Sequence, residues 1–138
     1  MASPRVRLTS QLDSQLQLAG NDPNDLIADF QDWKTGAPDN SYTFGEDLLG
    51  IGSSYLYHAH MVPVTVAADL TRWSKAWSQR KKRTSDRYLF YANGGMREGY
   101  LLIALIDDPG AHAIWQNQTA LQDLEQVADD FCVYGLVP

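Results

Sequence analysis

The chain has one cysteine, Cys132, among 138 residues, which excludes an internal disulfide framework and a multi-cysteine zinc centre. No apolar run approaches the ~20 residues of a membrane span, and no hydrophobic core of a secretory signal follows Met1. The expectation is an unexported, cytoplasmic protein without a membrane partner. Also missing are a phosphate-binding glycine loop, His-Glu-x-x-His, Gly-x-Ser-x-Gly and a calcium-loop pattern of carboxylates. No metal or cofactor is therefore expected. The last 41 residues contain no lysine or arginine at all.

What is present is enough apolar material for a core, since 44% of residues are hydrophobic and 11% aromatic. The length fits one domain over residues 1–138, single domains commonly running ~100–150 residues, with residues 1–20 as an extension or a first strand at Val6 to Thr9. The net charge of -6 is unevenly placed: residues 1–71 carry -6, residues 72–97 carry +7 and residues 98–138 carry -7. A local basic field on an acidic protein is sufficient to steer a polyanion.

The centre of the chain is Arg80 to Ile106. Tyr88 to Tyr91 and Tyr100 to Ile106 are rich in aromatic and aliphatic residues and are separated by Asn93-Gly94-Gly95, the pattern of a hairpin in mid-sheet. The second strand does not alternate, so both its faces should be covered. Asp22 and Pro23 mark a helix start, and Leu26, Ile27, Phe30 and Trp33 share one face up to a stop near Lys34 and Gly36. Gly36 to Asn40 reads as a loop and Phe44 to Asp47 as a turn. Tyr55 to Val62 reads as a strand that puts His58 and His60 on one face. Val66, Leu70, Trp73 and Trp77 define a helix over 66–78, and Leu121, Leu124, Ala128 and Phe131 a final one. Trp33, Trp73 and Trp77 read as core and Trp115 as surface. The fold class is α+β, a small antiparallel sheet against about three helices.

Two imidazoles at His58-x-His60 define no metal site without a third ligand, and half-buried strand histidines bonded to neighbours are the plain reading. Cys132 reads as packed rather than nucleophilic. The remaining chemistry is a set of cations, Arg80, Lys81, Lys82, Arg83, Arg87 and Arg97, interleaved with Tyr88, Tyr91 and the histidines. Guanidinium and ammonium groups bind phosphate, rings stack on unpaired bases, and imidazole titrates near neutrality. Those are the components of metal-free RNA cleavage: a base for the ribose 2′-hydroxyl, cations for the phosphorane, an acid for the departing oxygen.

Arg83-Thr84-Ser85-Asp86, Leu89-Phe90-Tyr91, Tyr100 to Ile106, His112 and Ala128-Asp129-Asp130-Phe131 resemble segments of the YafO family of type II toxin–antitoxin toxins. Ala28-Asp29-Phe30, Phe44 to Asp47 and His58-x-His60 occur in the same order, so the likeness spans roughly residues 25–131. The resemblance implies a RelE-like fold and a ribosome-associated, metal-independent endoribonuclease acting on mRNA and neutralised by a cognate antitoxin. It implies catalytic positions among His58, His60, Arg83, Asp86, Tyr91 and His112. Arg80, Lys81, Lys82, Arg87 and Arg97 would bind RNA, His58 or His60 would be base or acid, Arg83 would stabilise the phosphorane, and Tyr91 would meet a base. The alternative is a non-catalytic interaction protein of a mobile element, docking a basic partner through acidic helix faces.

Overall fold

Tyr100 to Ile106 is the strand around which everything else is laid. The computed structural model of the chain describes residues 3–36, 41–49 and 55–138. Its elements are β1 (Val6–Leu8), α1 (Ser10–Leu18), α2 (Pro23–Thr35), β2 (Phe44–Leu49), β3 (Leu56–Met61), α3 (Ala67–Ser78), β4 (Tyr88–Asn93), α4 (Gly95–Glu98), β5 (Tyr100–Ile106), a 3-10 helix (Ala111–Gln116) and α5 (Gln118–Tyr134). The five strands form one sheet in the order β1-β5-β4-β3-β2, giving an α+β fold. β4 and β5 pair antiparallel from Tyr88 opposite Ile106 to Asn93 opposite Tyr100. At the tip, Gly95 opens the single-turn α4 and Gly99 follows it, both at positive φ (73° and 72°), where a side chain would be strained.

The unalternating run of β5 is explained by apolar layers on both sides. Leu102 and Leu105 join a core with Leu12, Leu16, Leu26, Phe30 and Trp33 of α1 and α2. Leu101 and Ile103 join the other core, with Ala111, Ala128 and Phe131 of the 3-10 helix and α5. Local signals start these helices. The Thr9 hydroxyl accepts from Leu12 N–H (3.2 Å) and donates to Ile103 C=O (2.9 Å), tying the start of α1 to β5. The Asp22 carboxylate accepts from Asn24 N–H (2.9 Å) with Pro23 opening α2.

Several expectations change. β1 pairs parallel to β5, Val6 beside Tyr100, so the sheet is mixed rather than wholly antiparallel. Five α-helices and a 3-10 helix appear among the described residues, more than three. Phe44 to Asp47 is strand, not turn: Phe44 is fully buried, stacked on Trp33 (4.6 Å) and edge-on to Phe30 (5.8 Å), and that packing outweighs the turn chemistry of Gly45. Leu70 is on the surface of α3, whose buried residue is Trp73. Trp115 is half-buried against His58 instead of being a surface residue. The loop expected at 37–40 lies outside the described residues.

Candidate functional site

Strand parity and register assemble the first part of the site. His58 lies opposite Phe90 and His60 opposite Tyr88, so their side chains fall on the face covered by α5 and the 3-10 helix. The imidazole centroids are 5.6 Å apart, and Tyr88 is 5.1 Å from His58 and 5.0 Å from His60. Trp115 closes over His58 at 4.9 Å. Both histidines are buried, at 7% and 9% exposure. Burial, reinforced by the neighbouring His60 and opposed by Asp47 and Glu46, lowers His58 to about 4. Burial also lowers His60. Both rings are neutral at pH 7. Ser85 N–H donates to His60 Nδ1 (2.8 Å), which leaves the ring proton on Nε2. His58 Nδ1 is buried with no hydrogen-bond partner among the described residues.

At the rim, Asp86 and His112 are brought together although 26 positions separate them. Asp86 Oδ1 lies 2.7 Å from His112 Nδ1 and 2.8 Å from His112 N–H, and Oδ2 accepts from Gly110 N–H. Burial opposes ionisation of Asp86, but these amides and the imidazole outweigh it and hold the carboxyl below its ordinary range. The His112 side chain is 71% exposed. A carboxylate on Nδ1 fixes the tautomer and leaves Nε2 for exchange with a ligand, the arrangement used by carboxylate-oriented imidazole bases. The Asp86 charge also reaches His60 and Tyr88, so rim and buried cluster share one electrostatic environment.

The cations divide by environment. Arg80 and Lys81 are exposed and form no ion pair among the described residues. Lys82 pairs with Glu46 (2.6 Å) but remains 69% exposed, and Glu46 and Lys82 both act on His60. Arg87 is held by Asp107 (2.9 Å) and Val62 C=O (3.1 Å). Arg83 is buried, its Nη2 donating to Ser41 C=O (2.6 Å) and Phe44 C=O (2.9 Å) with its guanidinium over Trp77 at 4.8 Å. Arg97 is at the hairpin tip, beyond the far end of β4 from Asp86, and the five residue steps of that strand at ~3.3 Å span about 17 Å. Tyr91 is on the opposite face of the sheet, buried, its hydroxyl between Asp47 (2.7 Å) and the Lys34 ammonium (2.8 Å). Burial and then the Asp47 carboxylate push that phenol up.

The structure thus gathers His58, His60, Asp86, His112 and Lys82, and separates Arg83, Tyr91 and Arg97 from them. Sequence reasoning missed Trp115, Glu46, Ser85 and the Lys34–Asp47 pair (2.9 Å). The signal for Lys34 was its place one helical turn after Phe30; for Asp47 there was none, because its segment read as a turn. Burial raises the Cys132 thiol to about 11, and its Sγ donates to Asn93 C=O, in keeping with a packed residue. Among the described residues, no cluster of three metal-ligating side chains occurs and no helix is long and apolar enough to cross a membrane.

The class defined by this fold and site is a small α+β protein carrying an exposed imidazole–carboxylate pair and a run of exposed cations. A family model described as toxin YafO of the type II toxin–antitoxin system matches residues 31–132, and the chain belongs to that family. Membership implies a cognate antitoxin as a partner. No curated protein and no solved structure matches the chain.

Proposed function

We propose that the protein is a ribosome-associated endoribonuclease that cuts mRNA by metal-independent transesterification. The observation that carries this reading is the exposed His112 imidazole held through Nδ1 by the Asp86 carboxylate at 2.7 Å, with Asp86 four residues along the chain from Lys82, the last of the exposed cations Arg80, Lys81 and Lys82. His112 Nε2 accepts the proton of the ribose 2′-hydroxyl and the 2′-oxygen attacks phosphorus. The bond to the 5′-oxygen breaks, leaving a 2′,3′-cyclic phosphate and, after protonation, a 5′-hydroxyl. Lys82 and its exposed neighbours counter the charge of the phosphorane. His60, neutral and fixed by Ser85, retains Nε2–H as a hydrogen-bond donor. Arg83 and Tyr91, engaged inside the protein, hold the scaffold in this reading. Family membership supports the setting: a toxin restrained by an antitoxin must have a vital target, and translated mRNA suits cationic and aromatic groups.

The test is induction in cells with mapping of 5′-hydroxyl mRNA ends and sedimentation of ribosomes. The wild type should generate new ends and co-sediment. His112→Ala and Asp86→Asn should reduce cutting by about 10²–10⁴-fold, the usual worth of a positioned acid–base group. Absence of new ends, or equal cutting by His112→Ala, refutes the reading.

A further inference from the structure

A cavity of about 240 Å³ opens between β3, β4, the 3-10 helix and α5. His58, Phe90, Trp115 and Glu125 line it, with Leu56 and Leu121 completing the apolar wall. It is smaller than the ~300–1,000 Å³ typical of pockets for drug-sized ligands, so its occupant is a single small ring system. Two features identify what kind. Its walls are aromatic, with Trp115 4.9 Å from His58 and 6.0 Å from Phe90. Unpaired bases stack on such rings. Glu125 forms no ion pair or hydrogen bond among the described residues, although α5 carries it to the cavity. The His58 ring is more than nine-tenths buried, with its Nδ1 shut off from the cavity.

We infer that this cavity is a base-recognition pocket that takes an unstacked guanine of single-stranded RNA. Guanine fits this carboxylate better than other bases do. A carboxylate only accepts, and the guanine Watson–Crick edge presents two adjacent donors, N1–H and the exocyclic amine, matching its two oxygens. Adenine and cytosine offer only the exocyclic amine on that edge, and uracil only one N–H. The pocket is linked to the Asp86–His112 pair through sequence neighbours: Trp115 is three positions after His112 on the same 3-10 helix, and His58 touches Tyr88, two positions after Asp86. A guanine held there would set which phosphate reaches His112. The inference deepens the endoribonuclease reading and rests on it for the identity of the substrate.

Binding is measured without cleavage, so the two ideas fail separately. The indole N–H signal of Trp115, assigned with Trp115→Phe, is followed by NMR during titration with GMP, AMP, CMP and UMP, and with guanosine to separate base from phosphate. GMP and guanosine should shift that signal while the other three nucleotides bind more weakly. Glu125→Gln, which keeps shape and replaces one acceptor with a donor, should weaken GMP binding by about tenfold, within the range of one bidentate base contact. No response to GMP, equal response to all four nucleotides, or unchanged affinity in Glu125→Gln overturns the pocket. Guanine binding in a protein that makes no mRNA cuts would retain the pocket and remove the nuclease; cutting without guanine binding would do the reverse.

Discussion

His58 should make stability depend on pH, and the size of the effect follows from its surroundings. An unfolded-chain histidine titrates near 6.5, whereas burial and His60 lower His58 to about 4 in the fold. The depressed value means that the unfolded chain binds the proton more readily. The contribution of this residue is therefore complete above pH 6.5 and declines as pH falls towards 4. Linkage between the two values gives a loss of about 2 kcal/mol by pH 5 and about 3 kcal/mol by pH 4. The perturbation is His58→Phe, an aromatic replacement without a titrating group. Urea unfolding of both proteins, followed by tryptophan fluorescence between pH 8 and 4.5, isolates the term because His60 and His112 remain in each. The stability difference between wild type and variant should shift in the variant's favour by about 2 kcal/mol from pH 7.5 to pH 5. A difference that stays flat over that range would refute the buried, neutral state of His58 and its place inside the aromatic cluster.

Removal of Arg83 should act on folding before chemistry. Arg83→Ala loses two charge-assisted bonds to Ser41 and Phe44 carbonyls and should lower urea-unfolding stability by about 3–5 kcal/mol. A variant within 1 kcal/mol of wild type that had lost all mRNA cutting would return this arginine to the catalytic set. Gly45→Ala would set a Cβ 2.7 Å from the Trp73 ring and against the Arg83 carbonyl, costing about 1–3 kcal/mol, measured as a lower urea midpoint. Asp108 accepts from Val64, Thr65 and Val66 N–H groups (2.8, 3.0 and 2.8 Å). Burial opposes its ionisation but those amides win and lower its carboxyl. Its stabilisation is present above the ordinary carboxylate value and fades as pH falls through the lower folded one. Asp108→Asn should lose about 2–3 kcal/mol at pH 7 and show a flatter acid limb below pH ~4 in the same assay.

What could be read in the sequence was what depends on local pattern. Asp22-Pro23 opens a helix wherever it is placed, and Asn93-Gly94-Gly95 interrupts strands that must turn back. The period of two set His58 and His60 on one side without reference to any partner. The errors occurred where a distant partner decides. β1 is too short to announce that it lies parallel to β5, and the pairing exists because Thr9 reaches the β5 backbone. Phe44 to Asp47 contains a glycine and two acids, so only the stack of Phe44 on Trp33 makes it a strand. Tyr91 and Tyr88 look equivalent in a list of aromatic residues, yet three positions along a strand place them on opposite faces. One meets Lys34 and Asp47, the other the histidines.

Charge was the least legible property, because pairing removes much of what a count suggests. The +7 block between residues 72 and 97 reads as a broad basic surface. In the fold the flanking acidic blocks come back to meet it: Asp69 pairs with Arg72, Glu46 with Lys82, Asp107 with Arg87 and Glu98 with Arg97. Arg83 is taken into the interior by carbonyls. The field left for a polyanion is narrow, made by Lys75, Arg80 and Lys81 with the exposed end of Lys82. A narrow field binds few phosphates and releases few counterions, so it gives little affinity for bulk RNA. An acidic toxin with such a surface is suited to a target presented to it at a defined place, as mRNA is on a ribosome, rather than to free RNA captured by charge. If the proposed function holds, the same economy leaves discrimination to shape and hydrogen bonding.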